Sequence, residues 1–156
     1  MSFLLDTNVI SEWVKPRPDP RVIRWLEEID EDRTFLSVAS LAEIRQGIEL
    51  LPDGRRRDRL DAWLVEDLPG RFEGRILPID RDIAETWGIL MVRGKQSGVT
   101  LGSIDAFFAA TAEARRLTLA TRHTKDFATI GISLCKSLEF CSGDVGRLGV
   151  TEPPPI

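Results

Sequence analysis

The sequence predicts an α/β domain in which a parallel sheet of about four to five short strands is flanked by helices. Short apolar runs bounded by charged or turn residues lie at 2–5, 34–38, 76–79 and 117–121, a length that suits strands. The longer stretches between them carry apolar residues at helical spacing, and short strands alternating with helices imply a parallel sheet covered on both faces. The chain has 156 residues, 42% hydrophobic and 29% charged, enough for one compact domain that needs neither disulfides nor a structural metal.

In chain order, the first strand (2–5) runs straight into Asp6. A helix over 20–29 follows, with Val22, Ile23, Trp25, Leu26 and Ile29 as its apolar stripe. After the strand at 34–38, a helix over 41–51 carries Ile44, Ile48 and Leu51, and Ser40-Leu-Ala-Glu43 matches a capping box that places Glu43 in the first helical turn. The arginine-rich 52–59 reads as a solvated loop or helix start. Beyond the strand at 76–79, Asp80 and Asp82 read as a turn and N-cap for a helix over 82–92 bearing Ile83, Trp87, Leu90 and Met91. Ser103 opens a further helix that runs to Arg116, with Ile104, Phe107, Phe108, Thr111 and Ala112 on one face, and the strand at 117–121 follows. Trp13, Trp25, Trp63 and Trp87 fall among aliphatics and are assigned to packing rather than base stacking. Residues 1–141 are taken as the domain and 142–156, poor in large apolar side chains and ending Pro-Pro-Pro-Ile, as a loose tail. No internal repeat or interdomain linker is visible.

Several function classes drop out at this point. The N-terminal run has no basic leader and meets Asp6 at once, so neither a signal peptide nor a membrane span is expected, and the cytoplasm is the expected location. Cys135 and Cys141 have a single histidine, His123, to help them, so they are expected to be a reduced, incidental pair rather than a zinc site. A net charge of −4 argues at first against a nucleic-acid partner. Setting aside four carboxylates that share one metal site leaves a balance near zero, and a bound cation reverses the local field. The basic residues that remain cluster at Arg55-Arg56-Arg57, Arg115-Arg116 and Arg122/Lys125.

Asp6, Glu43, Asp105 and Asp126 are the candidate site, although each also has an ordinary explanation. Asp6-Thr7-Asn8 is good cap chemistry, Glu43 fits the capping box, Asp105 suits the positive end of a helix dipole, and Asp126 sits in a polar loop. Taken together, the four are each expected at a strand-to-helix junction, and one sheet edge brings such junctions into a crevice, where parallel sheets bind ligands. Carboxylates so close repel and some protonate unless cations neutralise them, and an oxygen-only donor set suits Mg²⁺ or Mn²⁺. Such a site activates a water, stabilises charge on a phosphate and assists the leaving oxygen, the chemistry of phosphodiester hydrolysis. A phosphohydrolase with Asp6 as covalent nucleophile would want an acid two residues on, where Asn8 stands.

Four segments carry a further signal: LLDTNVISE, SVASLAEIRQGI, SIDAFFAATA and TRHTKDF, in that order over residues 3–132. With them the chain resembles PIN-domain proteins of the VapC type, the toxin half of bacterial toxin–antitoxin pairs. The resemblance implies a PIN-like fold with Asp6, Glu43, Asp105 and Asp126 as catalytic metal ligands, supported by Thr7, Asn8 and Thr121. It implies Mg²⁺- or Mn²⁺-dependent cleavage of RNA, with tRNA or ribosomal RNA as substrate. A homodimer, inhibition by a cognate antitoxin, and contact with operator DNA only through that antitoxin are also implied. Arg115, Arg116, Arg122 and Lys125 are the expected RNA backbone contacts. The chain departs from its relatives at His123, where asparagine is common, and in the segment after Ile132. Those departures leave a second reading, a catalytically weak PIN-like module that acts by binding protein or DNA.

Overall fold

The computed structural model describes residues 1–135 and residue 138. Its centre is a four-stranded, all-parallel sheet in the order β3-β2-β1-β4, made of β1 (Phe3–Leu5), β2 (Thr34–Ser37), β3 (Ile76–Leu77) and β4 (Thr118–Ala120). In the innermost strand, Leu4 and Leu5 are fully buried and point to opposite faces, as the two-residue period of a strand requires. Leu5 joins a core with Val9, Val22, Leu36, Ile44 and Phe72, whereas Leu4 joins a second with Ile83, Leu90, Phe108, Leu119 and Phe127. A sheet buried on both sides explains why its strands read as continuous apolar runs rather than alternating ones.

The first core is covered by α1 (Thr7–Ile10), α2 (Pro20–Glu28), α3 (Val38–Glu49) and α4 (Arg55–Ala62). The second is covered by α6 (Arg81–Gln96), α7 (Ser103–Arg115) and α8 (Lys125–Thr129). Between α4 and β3 the chain passes through a π turn (Trp63–Asp67) and α5 (Leu68–Arg71), a segment with no counterpart in the sequence reading. Trp25 is buried, and Trp13, Trp63 and Trp87 pack half-buried against the cores, consistent with a packing role.

The capping-box assignment is corrected by the structure. Ser37, not Ser40, caps α3: its hydroxyl accepts from the Ala39 N–H at 3.1 Å, and the helix starts at Val38. Val38 therefore belongs to the helix rather than to the end of β2, and Glu43 stands in the second turn, where no backbone N–H awaits a cap. Asp80 does cap α6, accepting from the Ile83 N–H at 3.0 Å. Asp126 lies in the first turn of α8 rather than in an open loop, and Asp105 opens a helix preceded by another helix rather than by a strand. Past α8, an isolated parallel bridge between Leu119 and Leu134 lays residues 133–135 along the free side of β4. Cys135 is buried there, while Cys141 and the segment assigned as a tail lie outside the described residues.

Candidate functional site

Strands β1, β2 and β3 progress in one direction from the centre and β4 sits on the other side of β1, so the strand order reverses between β1 and β4. In open parallel sheets the crevice beyond the carboxyl ends at that reversal is the natural ligand site. Asp6 directly follows β1 and Thr121 directly follows β4, and their backbones are tied by the Asp6 N–H donating to the Ala120 carbonyl at 2.9 Å.

Asp6 is 4% exposed and its carboxylate is held from three directions. Oδ2 accepts from the Thr121 hydroxyl at 2.7 Å and from Asn8 Nδ2 at 3.1 Å, and Oδ1 accepts from the Asn8 N–H at 3.3 Å. Burial pushes the Asp6 carboxyl up to about 6; the charge of Asp105 adds to this, while the bonds from Thr121 and Asn8 and the positive form of His123 oppose it. Glu43 reaches the same place from the second turn of α3, and its Oε1 accepts from the Thr7 hydroxyl at 2.6 Å. Burial and the charges of Asp6 and Asp105 raise it to about 7 against the Thr7 hydrogen bond. Asp105, in the first turn of α7, is likewise raised, by burial first and by Asp126, with His123 opposing.

The structure thus gathers Asp6, Glu43 and Asp105 with Thr7, Asn8 and Thr121 into one charge-coupled group. Asp126 and His123 stand beside Asp105 on the wall of a cavity of about 290 Å³ that also includes Lys125. Among the described residues, no three Asp, Glu, His or Cys side chains are arranged to hold a metal ion as they stand. The donor chemistry nevertheless fits a hard divalent cation, because oxygen ligands dominate and acids forced up by burial and mutual repulsion are relieved by positive charge.

The four expected RNA contacts do not share one environment. Lys125 is exposed at the mouth of the cavity. Arg122, by contrast, is 13% exposed at its side chain and pairs with Glu12 at 2.8 Å and Asp19 at 3.3 Å, which leaves it committed to the protein interior. Arg115 pairs with Asp80 and, at 3.9 Å, with Asp82. Arg116 caps α7 in a left-handed conformation at φ 54°, about 16 Å along the helix from Asp105. Glu12 went unassigned in the sequence reading. The available signal was an acid set between the apolar pairs Val9-Ile10 and Trp13-Val14, which calls for a buried partner.

The PIN domain family model matches residues 3–132. The chain belongs to the PIN-domain family. This PIN domain is 37% identical over 131 residues to the Toxin FitB of Neisseria gonorrhoeae, spanning 84% of this chain and 94% of FitB. It is 36% identical to the VapC ribonuclease Y4jK of Sinorhizobium fredii, over 87% of this chain and 97% of that protein. Among solved structures it resembles FitAB bound to an IR36 DNA fragment, with a TM-score of 0.81 and 34% identity over 87% of this chain and 95% of that one. No helix among the described residues of the PIN domain is long and apolar enough to cross a membrane.

Proposed function

We propose that this PIN domain is a Mg²⁺- or Mn²⁺-dependent endoribonuclease acting as the toxin of a toxin–antitoxin pair, with Asp6, Glu43, Asp105 and Asp126 as its metal-binding acids. The observation that carries the reading is three carboxyls from β1, α3 and α7 raised together in the crevice at the strand-order reversal, beside a fourth on α8. A divalent cation bound there would supply activation of a water and charge stabilisation at a phosphodiester. The chain's own residues do the rest. Thr121 and Asn8 fix the Asp6 rotamer, and Thr7 fixes that of Glu43.

The names of the relatives support the biology: one is a toxin, one a ribonuclease, and FitAB is bound to DNA. By that likeness the partners are an RNA substrate, a cognate antitoxin and, through the antitoxin, operator DNA. A second copy of the chain is a further partner, supported by Ile89 and Val92, which are 61% and 56% exposed on α6.

The deciding experiment incubates purified protein with total cellular RNA in Mn²⁺ or Mg²⁺ and, in parallel, in EDTA. Cutting that EDTA abolishes is expected. A folded protein that neither cuts RNA nor binds Mn²⁺ would instead favour the binding-module reading. Lys125 provides a separate check on the substrate path. In anisotropy titrations with a single-stranded RNA, Lys125→Ala is expected to weaken binding across sequences and to reduce the slope of log affinity against log salt by about 1. An unchanged slope would remove Lys125 from the path.

A further inference from the structure

We propose that Glu12 is a positioning residue for the acid centre, its buried carboxylate gripping Arg122 and so fixing the turn whose Thr121 holds Asp6; this rests on the reading of that centre given above. Glu12 lies in the 3-10 turn Ser11–Val14 and is 1% exposed, a place where a lone charge is costly. Its partners are complete. Oε1 accepts from Arg122 Nη1 at 2.8 Å and from the Lys15 ammonium, and Oε2 accepts from the Asp19 N–H at 2.8 Å. Arg122 also reaches Asp19 Oδ2 through Nη2 at 3.3 Å, so the two nitrogens of the guanidinium fork hold two separate carboxylates, a span that the single nitrogen of lysine does not reproduce.

The other end of Arg122 is where the acid centre begins. Its backbone N–H donates to Asn8 Oδ1 at 3.2 Å, and the next N–H, of His123, donates to the Thr121 hydroxyl at 3.1 Å. That hydroxyl also accepts from Asn8 Nδ2 at 3.3 Å and spends its own proton on Asp6. Every bond of the Thr121 hydroxyl is therefore committed, and the direction in which it presents its proton depends on where the 121–123 turn sits. Asp6 and Glu12 come from the same short segment and hold the turn at two adjacent residues, through Thr121 and through Arg122. A buried ion cluster adds little stability over well-packed apolar side chains, but it fixes one geometry. At this turn the geometry is that of a metal-binding carboxylate.

The test measures Mn²⁺ affinity by calorimetry and amide hydrogen exchange at Arg122 and His123 for Glu12→Gln, Thr121→Val and the double variant, with thermal melts confirming folding. Glu12→Gln is expected to lower Mn²⁺ affinity by about 10-fold or more and to speed exchange at both amides. Because Glu12 acts through Thr121, the double variant should bind no more weakly than Thr121→Val alone. Arg122→Lys, which keeps the charge and loses the fork, should reproduce the loss and carries the test if Glu12→Gln fails to fold. Unchanged affinity in a folded Glu12 variant, or losses that simply add in the double variant, would overturn the proposal. Wild-type protein that binds no Mn²⁺ would count against the acid-centre reading instead, and the exchange rates would still decide whether Glu12 holds the turn.

Discussion

Asp6→Asn lowers metal-dependent RNA cleavage by more than about 100-fold while the protein stays folded. Losing a residue that merely orients a metal ligand costs about 10–100-fold, and Asp6 is proposed as a ligand itself. The substitution is close to isosteric: an asparagine oxygen in place of Oδ2 still accepts from Thr121 and Asn8 Nδ2, and the bond given up is the long one from the Asn8 N–H. Asp105→Asn should behave alike, and the double variant should be little worse than either, because ligands of one centre act as a unit. Initial rates on a labelled RNA at saturating Mn²⁺, with circular dichroism as the folding control, measure this. A folded Asp6→Asn protein that cuts at the wild-type rate would remove Asp6 from the chemistry.

In EDTA, the protein is less stable at pH 8 than at pH 5, and Mn²⁺ raises its melting temperature more at pH 8. The sign follows from the direction of the shifts. Asp6 is raised to about 6 and Glu43 to about 7, so between the ordinary carboxyl range and these values the folded chain holds protons that the unfolded chain has released. Stability is then fully present at low pH and lost as pH rises through about 4 to 7. One pKa unit corresponds to about 1.4 kcal/mol, and each kcal/mol moves the melting temperature of a domain this size by about 2–4 °C, so the fall expected from Asp6 is on the order of 5 °C. A cation binds the deprotonated acids and stabilises the fold by mass action, most where protons no longer compete. Glu43→Gln keeps an acceptor for Thr7 and should flatten the pH dependence. Scanning fluorimetry at the two pH values suffices, and a melting temperature in EDTA that holds level or rises with pH would contradict the shifts.

The four strands and the longer helices α2, α3, α6 and α7 were legible because burial on both faces writes itself into the sequence as short apolar runs, and amphipathic helices as spaced ones, whereas α1 and α8, of four and five residues, are too short to show a period. Their edges were harder. Ser37 and Ser40 both offer cap chemistry, and Glu43 three residues after Ser40 completed a local pattern, yet the helix begins where β2 ends, at Ser37. The segment from Trp63 to Arg71 mixes a π turn, a short helix and Pro69, and its course is set by packing Leu64 and Leu68 into the first core rather than by a local period. The acids were found by residue type and order, and their coupling only by geometry: Thr121 meets Asp6 across 115 positions of chain. Arg122 read as a solvent-facing contact because its partners, Glu12 and Asp19, lie just as far away in the sequence.

The reversal of strand order between β1 and β4 also bears on how such a chain is made. Asp6 leaves the ribosome well before the strand that pairs with β1 on that side and before the threonine that grips it, 115 positions later. Until β4 docks, β1 lacks its neighbour on one side and Asp6 lacks the Thr121 hydroxyl. A growing chain of this topology carries its acids unassembled until β4 has emerged and docked, so the centre is armed only after that strand is in place.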